Sequence, residues 1–451
     1  MAQRPSAPKS VENHRGQLAR LAREHRLRHT ATGMRFALAD RIELLDAARW
    51  DAIAAGTSVF LGRKYLRALE SALPDNLAPR YALIESDGGP VAAVAAQIVH
   101  VHGERIADAV RTPREADTTC KPSRKVAEVV RAARARLQAA AVRRIEARVL
   151  VCGNLLAWGQ HGVAFADGVD PATAWPAVAE ALYRMRRAER LAGNTDIVLV
   201  KDLDAAESAA ASALAPLSFR ELETEPDMVL ELDPRWRTFD DYLAGLSTKY
   251  RKAVRHTIKQ IEAAGCSVER ASDLHAEAQH LHRLYASVQQ RAAVRPVSIT
   301  PEYVPALGRA LGGDFRCTTI RRGETRLGFV TTLKDRSTAV GYFMGFDREA
   351  NATLPLYFRL LQCVVADALE LGCSRISFGR TALEPKARLG AKPVPLHLWI
   401  RHRVPVANLL LQRLLGGLGH DIAPERNPFK DEGAPRDAAG RDAHRPDERR
   451  G

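Results

Sequence analysis

The stretch that decides the fold runs from Phe315 to Phe378: FRCTTIRRGETRLGFVTTLKDRSTAVGYFMGFDREANATLPLYFRLLQCVVADALELGCSRISF. Phe315 to Arg321, Leu327 to Lys334 and Ala339 to Phe346 are short runs rich in apolar, aromatic and β-branched residues. Arg322-Gly323-Glu324 marks the first turn, so three consecutive strands of a meander are expected. From Leu356 to Leu371 the spacing becomes helical and stops at Gly372, after which Arg375 to Phe378 reads as one more strand. A meander, a helix and a further strand make the last connection a crossover that returns parallel to a neighbour. Where two such parallel strands splay apart they open a cleft. Exposed strand edges there suit the amides of a pantetheine-like arm, and a helix N-terminus just beyond suits phosphate.

Working outward, strand Met228 to Leu232, helix Phe239 to Ala264, strand Ser267 to Arg270 and helices Leu274 to Arg291 and Pro301 to Leu311 precede this core. The first half repeats the pattern. Helical segments within Trp50 to Leu73 lead to strands Arg80 to Ser86 and Val91 to Val101, joined by Asp87-Gly88-Gly89-Pro90. A helix from Ser123, its N-cap, to Ala141 follows, then strand Ala147 to Cys152, helix Pro176 to Ala192 and strand Asp196 to Val200. The expected fold class is α/β with mixed sheets, as two tandem units of one kind facing each other across a cleft.

Composition excludes other classes. With 451 residues, 46% hydrophobic and 27% charged, the chain is neither a single small module nor fibrous nor wholly disordered. Its best apolar run, Val406 to Leu418, is interrupted by Arg413 and is shorter than the roughly 18 residues of a membrane span. The basic start, Met1 to His29, has no apolar stretch behind it, so no secretory signal is expected. Cys120, Cys152, Cys266, Cys317, Cys363 and Cys373 show no paired spacing; they read as reduced thiols in a cytoplasmic protein with no metal site. A formal net charge of +14 favours anionic partners. Residues 1–33 read as a basic, flexible tail, 36–215 and 228–403 as the two domains, 404–423 as a C-terminal helix, and 424–451 as a disordered tail that folding does not need.

Several stretches carry a family resemblance. They are Ser247-Thr248-Lys249-Tyr250-Arg251-Lys252-Ala253-Val254-Arg255, Leu327-Gly328-Phe329-Val330, Gly341-Tyr342-Phe343-Met344-Gly345-Phe346-Asp347, Leu354-Pro355-Leu356-Tyr357, and Phe378-Gly379-Arg380-Thr381 with Lys386, Leu389 and Gly390. Residues 228–403 thereby resemble the catalytic-type domain of the Fem-like branch of the GNAT (N-acyltransferase) superfamily. Residues 36–215, with Val151-Cys152-Gly153-Asn154-Leu155-Leu156-Ala157-Trp158-Gly159-Gln160-His161-Gly162, resemble its degenerate first domain. The resemblance implies transfer of an acyl or aminoacyl group, from a CoA thioester or an aminoacyl-tRNA, to an amine of a cell-envelope or polysaccharide precursor. Many GNAT enzymes cradle the coenzyme A pyrophosphate in a glycine-rich turn. Here Asp347-Arg348-Glu349-Ala350-Asn351-Ala352-Thr353-Leu354-Pro355 has no glycine, which keeps aminoacyl-tRNA open as donor beside acyl-CoA. No permanently bound cofactor is implied, and peripheral contact with a membrane is compatible with the charge.

Amide formation needs a proton acceptor, oxyanion donors and a hold on the leaving group. Tyr342 and Tyr357 are candidate proton donors near the thioester sulfur, and Glu384 and Asp347 are candidate general bases. Arg380 and Lys386 suit a phosphate or carboxylate of the substrate. Arg251, Arg255 and Lys259 fall at i, i+4 spacings on one helix face, flanked by Lys249 and Lys252, and suit phosphates as well. The basic run Arg111, Arg114, Lys121, Arg124 and Lys125 invites the same reading, and His397 lies on a final strand. The rival expectations are a catalytically inactive double-GNAT module holding an anionic ligand, and an RNA-binding protein that uses the basic helix. A live enzyme should show an open path to Tyr342 and Lys386, whereas a binding module has that path plugged.

Overall fold

The computed structural model describes residues 19, 22–102, 146–290, 297–409 and 426–430. The expected helix 123–141, the basic run Arg111 to Lys125, Cys120 and most of the helix 404–423 lie outside them.

Among the described residues, thirteen strands form one mixed sheet. In chain order the elements are β1 (Arg35–Ala39), α1 (Ala47–Ala54), α2 (Arg63–Ser71), β2 (Leu77–Ser86), β3 (Gly89–His102), β4 (Glu146–Cys152), β5 (Val163–Phe165), α3 (Pro171–Ala188), β6 (Ile197–Leu203) and α4 (Ala205–Ala210). Then follow β7 (Arg220–Glu231), α5 (Phe239–Gly245), α6 (Thr248–Ala263), β8 (Cys266–Arg270), α7 (Leu274–Gln289), α8 (Tyr303–Leu311), β9 (Phe315–Arg322), β10 (Thr325–Asp335) and β11 (Thr338–Phe346). Last come α9 (Arg348–Thr353), α10 (Leu356–Glu370), β12 (Arg375–Ser377), α11 (Leu383–Ala387) and β13 (Lys392–His402). Short 3-10 turns, such as Glu189–Ala192 after α3, fill several connections.

Across the sheet the order is β1-β2-β3-β4-β6-β13-β7-β12-β11-β10-β9-β8, with β5 on β3. Read from its two edges inward, the order is the same twice. Each half is an antiparallel run of four strands, β1 to β4 or β8 to β11, ending on a parallel partner reached through a long crossover helix. Those partners are β6, through α3, and β12, through α10. The expected repeat is therefore present, with the crossovers where the sequence placed them.

At the centre the halves exchange their last strands. β7, which follows β6 in the chain, pairs with β12, while β13, which follows β12, pairs with β6. The two exchanged strands also pair with each other over Lys392 to Ile400. This corrects the expectation of two units facing across a cleft. The seam is a continuous sheet, and one core runs beneath it, joining Trp50, Tyr65 and Tyr81 of the first half to Leu281, Tyr303 and Phe329 of the second. On the opposite face α3 covers the first half, and α5, α6 and α10 cover the second.

Two further expectations change. The helix expected over Phe239 to Ala264 is two helices, because Leu246 leaves helical geometry with ψ near 144° and Ser247 restarts the chain as an N-cap. Into that break docks part of the segment expected to be disordered. Leu246 bridges Phe429, Ser247 N–H donates to Pro428 O at 2.9 Å, and Lys430 N–H donates to Gly245 O at 3.2 Å. The Phe429 ring packs on Trp236 and Tyr242 with centroids 5.3 and 6.3 Å away, and it fills the space that a Cβ on Gly390 would take. Phe429 is the one large apolar side chain after residue 424, which is why this point of the tail has something to bury. Phe429→Ala should cost about 2 kcal/mol, below the ~3–5 of a fully buried phenylalanine because the ring is only half covered. Equilibrium urea unfolding checks this; an unchanged midpoint would mean that the docked segment contributes nothing.

Candidate active site

β11 and β12 pair only over Thr338 to Val340 and Arg375 to Ser377, and beyond that they diverge. The opening is filled from the first half. Trp158 Nε1 donates to Ser377 Oγ at 2.5 Å, and Ser377 Oγ donates to Asp227 Oδ2 at 2.6 Å. The indole lies against Gly379, where a Cβ would come within 2.8 Å of the ring, so only glycine fits there. Tyr342 points into the shared core. Its hydroxyl joins those of Tyr65 and Tyr303 in a triangle with sides of 2.8, 2.9 and 3.1 Å, and Asn154 Nδ2 donates to Tyr65 Oη at 2.6 Å. Burial raises the pKa of all three phenols. Tyr342 is thus a neutral, fully bonded core residue, 5% exposed.

Behind Trp158 the ends of β6 and β12 meet. Lys201, buried, donates to the carbonyls of Asn154 and Ala157 at 3.0 and 2.8 Å and pairs with Asp202 Oδ2 at 2.5 Å. Arg380 crosses the seam to pair with the same Asp202. Asp202 lies at the register shift of the β6–β13 pairing, between Val200 and Leu203, Gly379 lies two residues past Ser377, the last residue of β12 paired with β11, and both adopt positive φ, 61° and 75°. The turn continues with Thr381 and Ala382, also at positive φ. Lys386 is turned inward: 4% exposed, it donates to the carbonyls of Gly379, at 2.9 Å, and Arg380. Burial lowers its pKa to about 8, although Asp227 pulls the other way. The same burial raises the Asp227 carboxyl. Arg380 and Lys386 therefore hold the seam and its turn together.

Open space lies further along β11. A cleft of about 530 Å³ sits at the β11 to α10 connection, walled by Phe346, Asn351, Leu354, Tyr357, Phe358 and Gln260 of α6. Of the expected proton donors, Tyr357 lines this cleft, and burial pushes its phenol up to about 12. Asp347 is the N-cap of α9, accepting from Ala350 N–H at 2.9 Å. Glu384, near the surface, pairs with Arg388 and Arg426 at 3.0 and 3.1 Å, and the hydrogen bond from Arg388 is the main reason its carboxyl is held below the usual range. His397 pairs with Glu221 at 3.2 Å.

The amides that open α10 are largely occupied. Leu356 N–H donates to Leu354 O at 2.8 Å and Tyr357 N–H to Asn351 Oδ1 at 3.0 Å. Where a glycine-rich turn would present several N–H groups to a diphosphate, α9 has used them internally. Lysines share the helix side instead, at the far end of α6. Gln260 marks the side of α6 that meets the cleft, and at 100° per residue Lys249 is on that side, about 16 Å away along the axis, with Lys252 about 80° further round. Arg255 and Arg251 point 140° and 180° away by the same count, so the stripe expected to meet phosphate faces elsewhere. Among the described residues neither row has an ion-pair partner; Lys249 lies 5.9 Å over the Tyr250 ring.

The sequence reading missed Gln260, Asn351 and Phe358 in the cleft wall, and Lys201, Asp202, Tyr65 and Tyr303 at the seam. One signal was present: Lys201-Asp202 ends the apolar run Ile197-Val198-Leu199-Val200, an unusual place for two charges. No group of metal-ligating side chains occurs among the described residues.

Residues 248–387 match the family model of the acetyltransferase (GNAT) domain. Residues 248–387 thus carry a GNAT domain, and the repeated strand order makes the fold a tandem of GNAT-like units. Solved structures with a similar fold include FemX (11% identity, TM-score 0.48, covering 84% of this chain and 99% of that one). A tandem GNAT protein from the clavulanic acid biosynthesis pathway gives 12%, 0.46, 82% and 99%. The C-terminal DUF2156 domain of a putative lysylphosphatidylglycerol synthetase from Agrobacterium fabrum gives 11%, 0.43, 82% and 95%. No curated protein matches the chain.

Proposed function

We propose that the protein is an N-acyltransferase that takes an acyl or aminoacyl group from a CoA thioester or an aminoacyl-tRNA and places it on an amine of a cell-envelope or polysaccharide precursor. The observation that carries this reading is the open cleft at the β11 to α10 connection of the GNAT-matched segment, at the end of β11 beyond the point where it diverges from its parallel partner β12. The amine nitrogen attacks the acyl carbon, the C–S or C–O bond breaks, and the amine proton leaves to a base. Tyr357, kept neutral by burial, is the group in the cleft that donates a proton to the departing sulfur or oxygen. With the α10 amides occupied, the donor's phosphates meet side chains, and Lys249 and Lys252 are the cations on that side. This favours a donor with an extended phosphate backbone over one gripped at a single diphosphate. The cysteines among the described residues are free and buried, which supports placing this reaction in the cytoplasm.

Filling the cleft tests the reading. Ala352→Trp places an indole in the cleft wall from a partly exposed helix. It should weaken binding of acyl-CoA or deacylated tRNA, whichever the parent binds, by tenfold or more, with melting unchanged. Calorimetric titration that finds parent-like affinity would remove the cleft from the reaction. A second reading, an inactive module that holds an anionic ligand, has the Trp158 plug and the tyrosine triangle in its favour. It expects the same donor binding with no amide product from any amine offered.

A further inference from the structure

Away from the cleft, one face of the first half gathers arginines and bare aliphatic side chains from three segments far apart in sequence. Residues 22–29, which are helical, bring Leu27 and Arg28. The end of α3 and the turn after it bring Tyr183, Arg187, Arg190 and Leu191, and the end of β13 with residues 405–409 brings Arg401, Val406 and Leu409. Specific contacts hold these segments together. The Arg28 guanidinium donates to Ser218 Oγ, and Asn408 Nδ2 donates to Ser218 O at 2.9 Å. Thr32 donates to Glu180 of α3 through both its N–H and its hydroxyl, at 2.7 and 2.6 Å. Leu27, Tyr183 and Arg401 line one small recess, and Arg28, Tyr183, Arg184 and Arg187 line a groove of about 570 Å³ beside it. Arg403 binds Asp196 through its backbone N–H and its guanidinium, which ties the β13 end to the turn carrying Arg190 and Leu191.

Charge on this face is unbalanced. Arg184 pairs with Glu180 and Arg403 with Asp196. Arg186, Arg187, Arg190 and Arg401 have no carboxylate partner among the described residues. After burial, the nearness of Arg186 and Arg28 is what lowers the pKa of Arg401, so these cations repel one another. Such a cluster is relieved by an anion. The apolar side chains are as conspicuous: Leu191 is fully exposed, Val406 and Leu409 are 67% and 65% exposed, and Leu27 is 45% exposed. Together with Tyr183 and Val404 they make six of the ten exposed large apolar residues of the described chain.

We propose that this face docks on the surface of an anionic lipid bilayer. Phosphates of a nucleic acid would satisfy the arginines and leave the aliphatic side chains in water. A bilayer surface satisfies both, drawing the arginines to its headgroups and taking Leu27, Leu191, Val406 and Leu409 into the headgroup boundary. Contact is peripheral, since no described helix is long and apolar enough to cross a membrane. The inference does not depend on the acyl-transfer reading, because the face shares no residue with the cleft.

Sedimentation of the full-length chain with vesicles tests it. The protein should pellet with phosphatidylcholine vesicles containing about a third phosphatidylglycerol and stay in solution with phosphatidylcholine alone. Arg187→Gln with Arg190→Gln, both exposed, should lower the partition coefficient about fivefold per arginine with unchanged melting. Leu191→Asp should lower it further at high salt, where the arginines are screened. Equal binding to neutral and anionic vesicles, parent-like binding by the arginine pair variant, or capture of an RNA duplex without any vesicle binding would each overturn the proposal.

Discussion

Asp367→Ala is expected to destabilise the protein by about 3 kcal/mol, at the lower edge of the range for breaking a buried ion pair. The residue lies on the sheet-facing side of α10, 1% exposed. Its carboxylate accepts from Arg270 at 2.5 Å, from Thr318 at 3.1 Å and from Thr332 at 2.9 Å. These partners sit on β8, β9 and β10, so one side chain ties the crossover helix to three strands of the meander. Removing it leaves the Thr332 and Thr318 hydroxyl protons without their acceptor in the core, at about 1 kcal/mol each, although Thr318 Oγ1 still accepts from Arg270, and it frees a guanidinium whose other partners are Thr318 and the surface residue Glu370. Arg270 is partly exposed and can turn to water, which sets the figure at about 3 rather than 5 kcal/mol. Thr332→Ala removes a single donor and should cost about 1 kcal/mol. Urea unfolding of both variants checks the pair; an alanine variant within about 0.5 kcal/mol of the parent would show that α10 is held by its apolar face alone.

How much of this could be read from the sequence depends on the range of the interaction involved. The meander and both crossovers were legible because short β-rich apolar runs and the helical period are local signals, and glycine at 265, 323 and 372 marks the breaks between them. The strand exchange was not, because β7 and β13 look alike whether each pairs with its own half or with the other. Choosing between those pairings takes contacts more than 150 residues apart, as with Trp399, whose indole donates to Ser208 at 2.9 Å. Tyr342 and Lys386 show the limit at the site. Tyr342 lies within a strand, as expected, and Lys386 in the segment after the crossover strand, where the chain forms the short helix α11. What they touch was set elsewhere: Tyr65 and Tyr303 arrive from two other helices, and the turn that encloses Lys386 depends on positive φ at Thr381 and Ala382, residues that rarely announce it. Glu384 and Asp347 were taken by nearer partners, an arginine four residues on and an N-cap amide, as short-range chemistry often does to an attractive carboxylate.

Lys386→Met then separates the two things this lysine could do. Read from sequence as a cation facing a ligand, it would leave folding unchanged when replaced and would weaken substrate binding. Its observed place implies the reverse. The carbonyls of Gly379 and Arg380 lose their donor inside a turn that already holds three residues at positive φ. The expected cost is about 2 kcal/mol at neutral pH, with the methionine roughly filling the volume. The sign of the pH dependence makes the test sharper. The folded-state pKa of about 8 lies below the ~10.4 of an unfolded lysine. Below pH 8 both states hold the proton and the burial cost of the cation is fully present. Between about 8 and about 10.4 the native state has released the proton and the unfolded state has not, so the parent gains stability as pH rises, by up to ~3 kcal/mol. The methionine variant has no proton to release there. The gap between the two should therefore widen from about 2 kcal/mol at pH 7 to about 4 by pH 10. Denaturant midpoints measured in parallel at those pH values decide it. A gap that stays constant or shrinks would return the ammonium to the solvent side of the turn, and with it the case for a ligand contact between Gly379 and Gly390.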